Sequence, residues 1–368
     1  MDFRRIALTL ATLLVSACAD SYGTPSTEAA GDQDGSGTSE SEETSTSAAD
    51  TEDSGDETSA TEDAGGDGDG DGDGDGDGDD LPDPDLPGPL GITTLDDVFT
   101  VPTTGTSVNI HASYPSDADA GPFPVVLLAH GFQLPPSQYY GYGDHLASHG
   151  FIAVHVDFNA ALLNTNHVEN MRELLGGIEW ITAHPSLSLI ADLQRVGATG
   201  HSLGGKLATH AAVSDPRVLA AFTLDPVDSS MGCNATDCPD VTDLLPINKP
   251  LGVIGETIDA SGSLQACAPA ADNFETFYSA SNSPAIKVDV LGANHMSFIE
   301  DPDTCGLPCS FCNAPVVTND VVTGIARSYL VAFFGRHLRG QRGYDLYLTG
   351  EAAVSRYVDT GLATIASK

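Results

Sequence analysis

Basic side chains are scarce in this sequence: 14 Lys and Arg stand against 53 Asp and Glu, for a net charge of −39 over 368 residues. A chain of that sign repels phosphate backbones, which excludes nucleic acid as a partner. Long apolar runs are missing as well. The run near the start, Ile6 to Val15, spans ten residues, too few to cross a bilayer. No internal repeat is visible, so no solenoid or propeller is expected.

The acidity is unevenly spread. Of the 53 acids, 24 lie between Asp20 and Asp85, where there is no Lys or Arg. From Cys18 to Leu90 the chain is mostly Ser, Thr, Gly, Asp, Glu and Ala, and from Asp67 onward Asp alternates with Gly. Such a composition cannot bury enough apolar surface to offset ordering entropy, so residues 18–90 read as a disordered acidic tether. The Asp-Gly run lacks the ordered ligand and glycine pattern of a calcium loop and reads as solvated linker. Residues 91–368 carry 28 acids and 12 bases, and their number suits a single α/β domain.

Arg4 and Arg5 precede the Ile6–Val15 run, which has the size of a signal-peptide core. The run ends in Val15-Ser16-Ala17-Cys18, which resembles the bacterial lipobox. That resemblance implies that residues 1–17 are a removable leader and that Cys18 is lipidated, giving a membrane partner through an N-terminal anchor. An ordinary cleavage site with an incidental cysteine is the other reading. Ala19, rather than Asp, follows Cys18, which by the same resemblance favours the outer membrane. Six further cysteines remain: Cys233, Cys238, Cys267, Cys305, Cys309 and Cys312. An even number in an exported domain points to three disulfides, whose pairing the sequence leaves open. A zinc site in the 305–312 cluster is the weaker reading, because no His lies within it. Neither a metal nor an organic cofactor is called for.

Beyond residue 91, short apolar runs alternate with helical patterns. The runs predict strands over Ser107–Ser113, Val125–His130, Phe151–Phe158, Arg195–Thr199, Val218–Leu224, Leu251–Gly255 and Ile286–Leu291. Helices are predicted over Ser137–His149, His167–His184, Leu203–Val213, Pro269–Ala280 and Asn319–Leu338. Continuous Val, Leu, Ile and Ala runs are those of strands buried on both faces. The alternation predicts a mostly parallel sheet with helices on both faces.

Against that map, Gly200-His201-Ser202-Leu203-Gly204 reads G-x-S-x-G between a predicted strand and a predicted helix. This is the setting of a nucleophile elbow, in which a tight turn lifts the serine hydroxyl into a cleft. The run Val125–Ala129 ends in His130-Gly131-Phe132. In α/β-hydrolases the loop after that strand and the residue after the nucleophile supply the oxyanion-binding N–H groups. Phe132 and Leu203 are therefore the candidate donors. The general base should be a histidine after the last sheet strand, and His295 fits. His201, beside the candidate nucleophile, reads as a packing or backbone-bonding residue. Two acids keep the order Ser, acid, His: Asp225, after Val218–Leu224, and Asp259, after the next strand; pattern alone does not choose between them.

These motifs resemble the chlorophyllase family and its bacterial relatives, kin of the platelet-activating-factor acetylhydrolases and polyester hydrolases. The matching segments are His130-Gly131, Leu146 to Ile152, Gly200 to Lys206, Asp225-Pro226-Val227-Asp228, Cys267-Ala268-Pro269 and His295-Met296. The resemblance implies an α/β-hydrolase fold and ester cleavage by a Ser202, His295 and Asp225 triad. Polyester hydrolases instead place the acid where Asp259 stands. Leu203 occupies the position that is Arg in plant chlorophyllases, so a porphyrin substrate does not carry over. No insertion is large enough for a lid domain, which suggests an open cleft for lipid, short-acyl or polymeric esters. Tyr139, Tyr140 and Tyr142 either form one wall of it or pack beneath the first helix. A non-catalytic binding protein and a peptidase of the same fold are the competing readings.

Overall fold

The run Phe123–Ala129 is apolar and buried at every position. Its alternate residues face different layers: Val125, Leu127 and Ala129 join one core, Val126 and Leu128 the other. Two-sided burial is what a central parallel strand requires. Truncating Leu127 to Ala would cost about 2–5 kcal/mol. In the computed structural model, which describes residues 81–160, 165–229, 233–261, 266–306, 309 and 312–368, this strand is β3 of a nine-stranded sheet. The other strands are β1 (Ile92–Thr100), β2 (Ser107–Pro115), β4 (Ile152–Asp157), β5 (Ala191–His201), β6 (Val218–Leu224), β7 (Leu251–Glu256), β8 (Ala285–Val290) and β9 (Ala363–Ser367).

Their spatial order is β1-β2-β4-β3-β5-β6-β7-β8-β9. From β4 to β8 every pairing is parallel, and the pairs at both edges are antiparallel. Helices α1 (Tyr140–Ser148) and α5 (Asn319–Leu338) cover one face. Helices α2 (His167–Ala183), α3 (Leu203–Ser214) and α4 (Phe274–Ala280) cover the other. The chain passes from β3 to β4 on one side and to β5 on the other, so the strand order reverses there. A crevice at the carboxyl ends of strands follows from that reversal. Phe132 follows β3, and Ser202 follows β5.

Three expectations need correction. Strands β1 and β9 lie outside the predicted set. β1 is exposed along most of its length, so it has no buried run to betray it and exists through its pairing with β2. The helix expected from Pro269 begins at Phe274, because the Asn273 side chain caps it by accepting the N–H of Glu275. The boundary placed at residue 91 also moves. Residues 81–90 lie against the body: Arg356 grips Asp83 and Asp85 at 2.6 and 2.7 Å. His145 and His149 donate to the carbonyls of Pro84 and Leu86 at 2.8 and 2.9 Å, and Gly88 N–H reaches Ser148 Oγ at 2.8 Å. Composition hid this, since the partners of those aspartates lie more than 270 positions away. The expected leader, Cys18 and the expected tether as far as residue 80 lie outside the described residues. Among the described residues, no helix is long and apolar enough to cross a membrane.

Candidate active site

The turn between β5 and α3 is built for one conformation. Ser202 sits there with φ 56° and ψ −120°, a region that costs a non-glycine residue about 1–3 kcal/mol. Its neighbours leave no alternative. A Cβ on Gly204 would lie 2.1 Å from the Ala129 carbonyl oxygen. One on Gly200 would lie 2.5 Å from the backbone of Gly204. The turn is held by Ser202 N–H to Leu224 O at 3.1 Å, and by Ser202 O accepting from Gly205 and Val227 at 3.0 and 3.2 Å. Among the described residues, the non-glycine positions with positive φ are Gln133, Ser202 and Asp225. All three belong to loops at the same end of the sheet, where backbone strain and chemistry commonly coincide.

Three predicted residues come together at that end. His295 Nε2 is 2.9 Å from Ser202 Oγ, and His295 Nδ1 is 2.5 Å from Asp225 Oδ2. Asp225 is fully buried and His295 nearly so. Burial raises the Asp225 pKa above its ordinary value, and the hydrogen bond and charge of His295 offset this only in part. Asp259 is also buried, but it does not meet the imidazole. Its Oδ2 accepts the main-chain N–H of His295 at 2.9 Å, and its Oδ1 accepts from Asn313 N at 2.8 Å. Phe132 and Leu203 flank the elbow: Gly204 sits against the carbonyls of Ala129 and His130, so the loop after β3 and the start of α3 lie side by side. The Leu203 N–H opens α3 and has no acceptor within that helix.

Around this centre lie further buried polar groups, and one of them, Glu256, carries no pattern in the sequence. Glu256, at the end of β7, is buried. Desolvation and nearby Asp225 push its carboxyl up to about 8. It accepts the N–H groups of Ile258 and Asp259. His201 and Tyr139 form a buried pair at 2.8 Å beneath the elbow. Tyr139 and Tyr142 are buried rather than lining a wall; Tyr142 donates to Phe298 O at 2.8 Å. Asp228 forms a buried ion pair with Lys206 at 2.7 Å. A cavity of about 280 Å³ opens beside the His295 turn, lined in part by Asn294, Met296, Pro302, Asn313 and Asn319.

The six cysteines pair as Cys233–Cys238, Cys267–Cys312 and Cys305–Cys309. Three disulfides are the chemistry of a domain that folds outside a reducing compartment. The second one ties the Asp259 loop to Asn313, whose side chain donates to Ile258 O at 2.8 Å. Asp259, Cys267 and Cys312 converge closely enough to suggest metal ligands. Their donors are already committed, however: both sulfurs to the disulfide and both Asp259 oxygens to N–H groups. The set does not fit a metal ion.

A largely parallel sheet with a strained serine between strand and helix, followed by an acid and a histidine after later strands, defines the α/β-hydrolase fold. Within that class the chain belongs to the chlorophyllase family, whose family model matches residues 98–352. It is 30% identical over 186 residues to a bis(hydroxyethyl) terephthalate hydrolase of Streptomyces coelicolor, covering 50% of this chain and 54% of the relative. It is also 30% identical over 199 residues to chlorophyllase-1 of Arabidopsis thaliana, covering 50% and 61%. Chlorophyllase-1 of Citrus unshiu is 27% identical over 233 residues, covering 59% and 70%. The chain thus spans little more than half the length of the first of these relatives.

Proposed function

We propose that the chain is an exported serine hydrolase that cleaves carboxylic esters through an acyl-enzyme. The carrying observation is the pair of contacts at His295, with Ser202 Oγ on one ring nitrogen and Asp225 on the other. A carboxylate at Nδ1 keeps the hydrogen there and leaves the Nε2 lone pair facing the hydroxyl, which is the arrangement of a base. Ser202 Oγ attacks the ester carbonyl carbon while its proton passes to His295 Nε2. The N–H groups of Phe132 and Leu203 hold the resulting oxyanion. The carbon–oxygen bond to the alcohol breaks as His295 returns the proton to the leaving oxygen. Water then attacks the acyl-enzyme with the same base, releasing the acid and restoring the Ser202 hydroxyl.

Family membership and the names of the relatives support carboxylic esters as the substrate class; lipid, short-acyl and polyester types are the range we propose within it. Export rests on the three disulfides and the leader-like start. A lipid on Cys18, an acidic tether and outer-membrane placement complete the proposal.

The test is labelling of the full chain with a fluorophosphonate probe, followed by peptide mass mapping. It runs beside hydrolysis of p-nitrophenyl esters and aminoacyl amides. Expected are label on Ser202, ester turnover ahead of amide turnover, and loss of both label and turnover in Ser202→Ala at unchanged circular dichroism. A Ser202→Ala chain with wild-type esterase rates would refute the assignment.

A further inference from the structure

His201 sits beside Ser202 in sequence, yet its ring takes no part in the steps above. It is completely buried, and both ring nitrogens have partners. Nε2 lies 2.9 Å from the main-chain oxygen of His295, and Nδ1 lies 2.8 Å from the Tyr139 hydroxyl. That hydroxyl also receives the N–H of Gly131 at 3.2 Å. Gly131 immediately precedes Phe132. Packing is tight here: a Cβ on Gly131 would stand 2.8 Å from Leu134, 3.0 Å from the Tyr139 hydroxyl and 3.1 Å from His201 Nδ1.

The direction of every bond is forced. A carbonyl oxygen only accepts, so His201 Nε2 must carry the hydrogen given to His295 O. A neutral imidazole then has a bare Nδ1, so Tyr139 must donate its hydroxyl hydrogen to it. The hydroxyl oxygen is left to accept from Gly131. Burial keeps His201 well below its ordinary pKa and holds the Tyr139 phenol above its own, so neither group changes state at working pH. The chain Gly131 N–H → Tyr139 O–H → His201 Nδ1, with His201 Nε2–H → His295 O, crosses beneath the elbow from one loop to the other.

We infer that Tyr139 and His201 are positioning residues which lock the oxyanion loop and the backbone of the base His295 into one register, so that both sides of the nucleophile are set by a single hydrogen-bonded strut. The inference rests on the serine hydrolase reading above and adds to it two residues that touch no reacting atom. Misplacement of a reacting group by an ångström can cost about 100-fold in rate, and the strut restrains two such groups together. A purely structural role would show as lost stability at unchanged turnover.

The experiment compares full-length wild type with Tyr139→Phe, His201→Leu and His201→Gln on p-nitrophenyl butyrate, with fluorophosphonate labelling rates alongside. Tyr139→Phe deletes one oxygen and leaves two buried polar groups without a partner. It is expected to lower kcat by about 10- to 100-fold with KM within about twofold, and to slow labelling in parallel. His201→Leu should do the same, while His201→Gln, which offers an acceptor and a donor in similar positions, should recover most of the loss. Wild-type kcat in Tyr139→Phe, or a fall that only tracks the folded fraction in near-UV circular dichroism, overturns the strut. If the variants do not fold, ring-nitrogen shifts of His201 in the wild type decide. Hydrogen on Nε2 alone from pH 5 to 9 supports the strut, and hydrogen on Nδ1 overturns it. A wild type that neither labels nor hydrolyses esters would instead bring down the serine hydrolase reading itself.

Discussion

The main-chain N–H of His295 donates to Asp259 Oδ2 at 2.9 Å, so the acid that does not touch the imidazole holds the backbone that carries it. The two aspartates on which pattern could not decide thus have separate positions: Asp225 at the ring, Asp259 at the chain.

Their neutral variants should separate accordingly. Asp225→Asn leaves an amide that can favour the wrong imidazole tautomer, and should cost roughly 10³–10⁴ in kcat with little loss of stability. Asp259→Asn keeps an oxygen for one N–H but not for both. It should lose about 1–3 kcal/mol of stability and only about tenfold in kcat. Ester turnover and urea melts of the two variants check this, and a larger kcat loss in Asp259→Asn would exchange their roles.

Glu256 makes stability depend on pH. Burial and Asp225 raise its pKa to about 8 in the fold, from an ordinary 4.5. Between those values the folded chain keeps a proton that the unfolded chain has released. Stability should therefore fall as pH rises through that window, by an amount on the order of a few kcal/mol. Glu256→Gln keeps a neutral side chain at every pH and should flatten this component. Denaturant melts at pH 5 and pH 9 measure it as the wild-type-minus-variant difference, and a difference that stays constant would show that Glu256 is ionised in the fold.

The Cys267–Cys312 bond closes a loop of 45 positions. In the chain-entropy account its loss costs about 4 kcal/mol, against about 2 for the four-position Cys305–Cys309 loop. Because it also joins the Asp259 loop to Asn313, the Cys267→Ser/Cys312→Ser double variant should lose activity at lower denaturant than it loses secondary structure. Parallel activity and far-UV circular dichroism curves test this, and coincident midpoints would show that the bond stabilises only the global fold.

Two glycines should respond in opposite ways to alanine. At Gly204 the new Cβ would lie 2.1 Å from a backbone oxygen, which cannot swing aside, so Gly204→Ala should fail to give soluble folded protein. Exposed Gly324, within α5, has open space around it. Gly324→Ala should gain about 0.5–1 kcal/mol. Thermal melts of the two variants check both signs.

Much of this was legible without coordinates. Strand β6 and helix α5 fall on their predicted bounds, because a continuous buried run and a long helical pattern are local signals. Order along the chain and glycine spacing pick out Ser202 and His295 as candidates, and the fold places their side chains 2.9 Å apart. Leu81–Leu90, β1 and β9 were missed, since each is held by partners distant in sequence and carries no apolar signature of its own. His201 was read as a packing or backbone-bonding residue; its bond to His295 O appears only once loops 94 positions apart are brought together.

By itself, then, the amino-acid order determined the alternation of strand and helix, the elbow and the place of its serine, because close backbone approach demands glycine at set offsets and double burial demands unbroken apolar runs. Only the tertiary structure decided which aspartate meets the imidazole, which cysteines pair and what holds residues 81–90 against the sheet domain. Those outcomes depend on distances of a few ångströms between residues 36, 45, 70 and more than 270 positions apart, and no local preference encodes them.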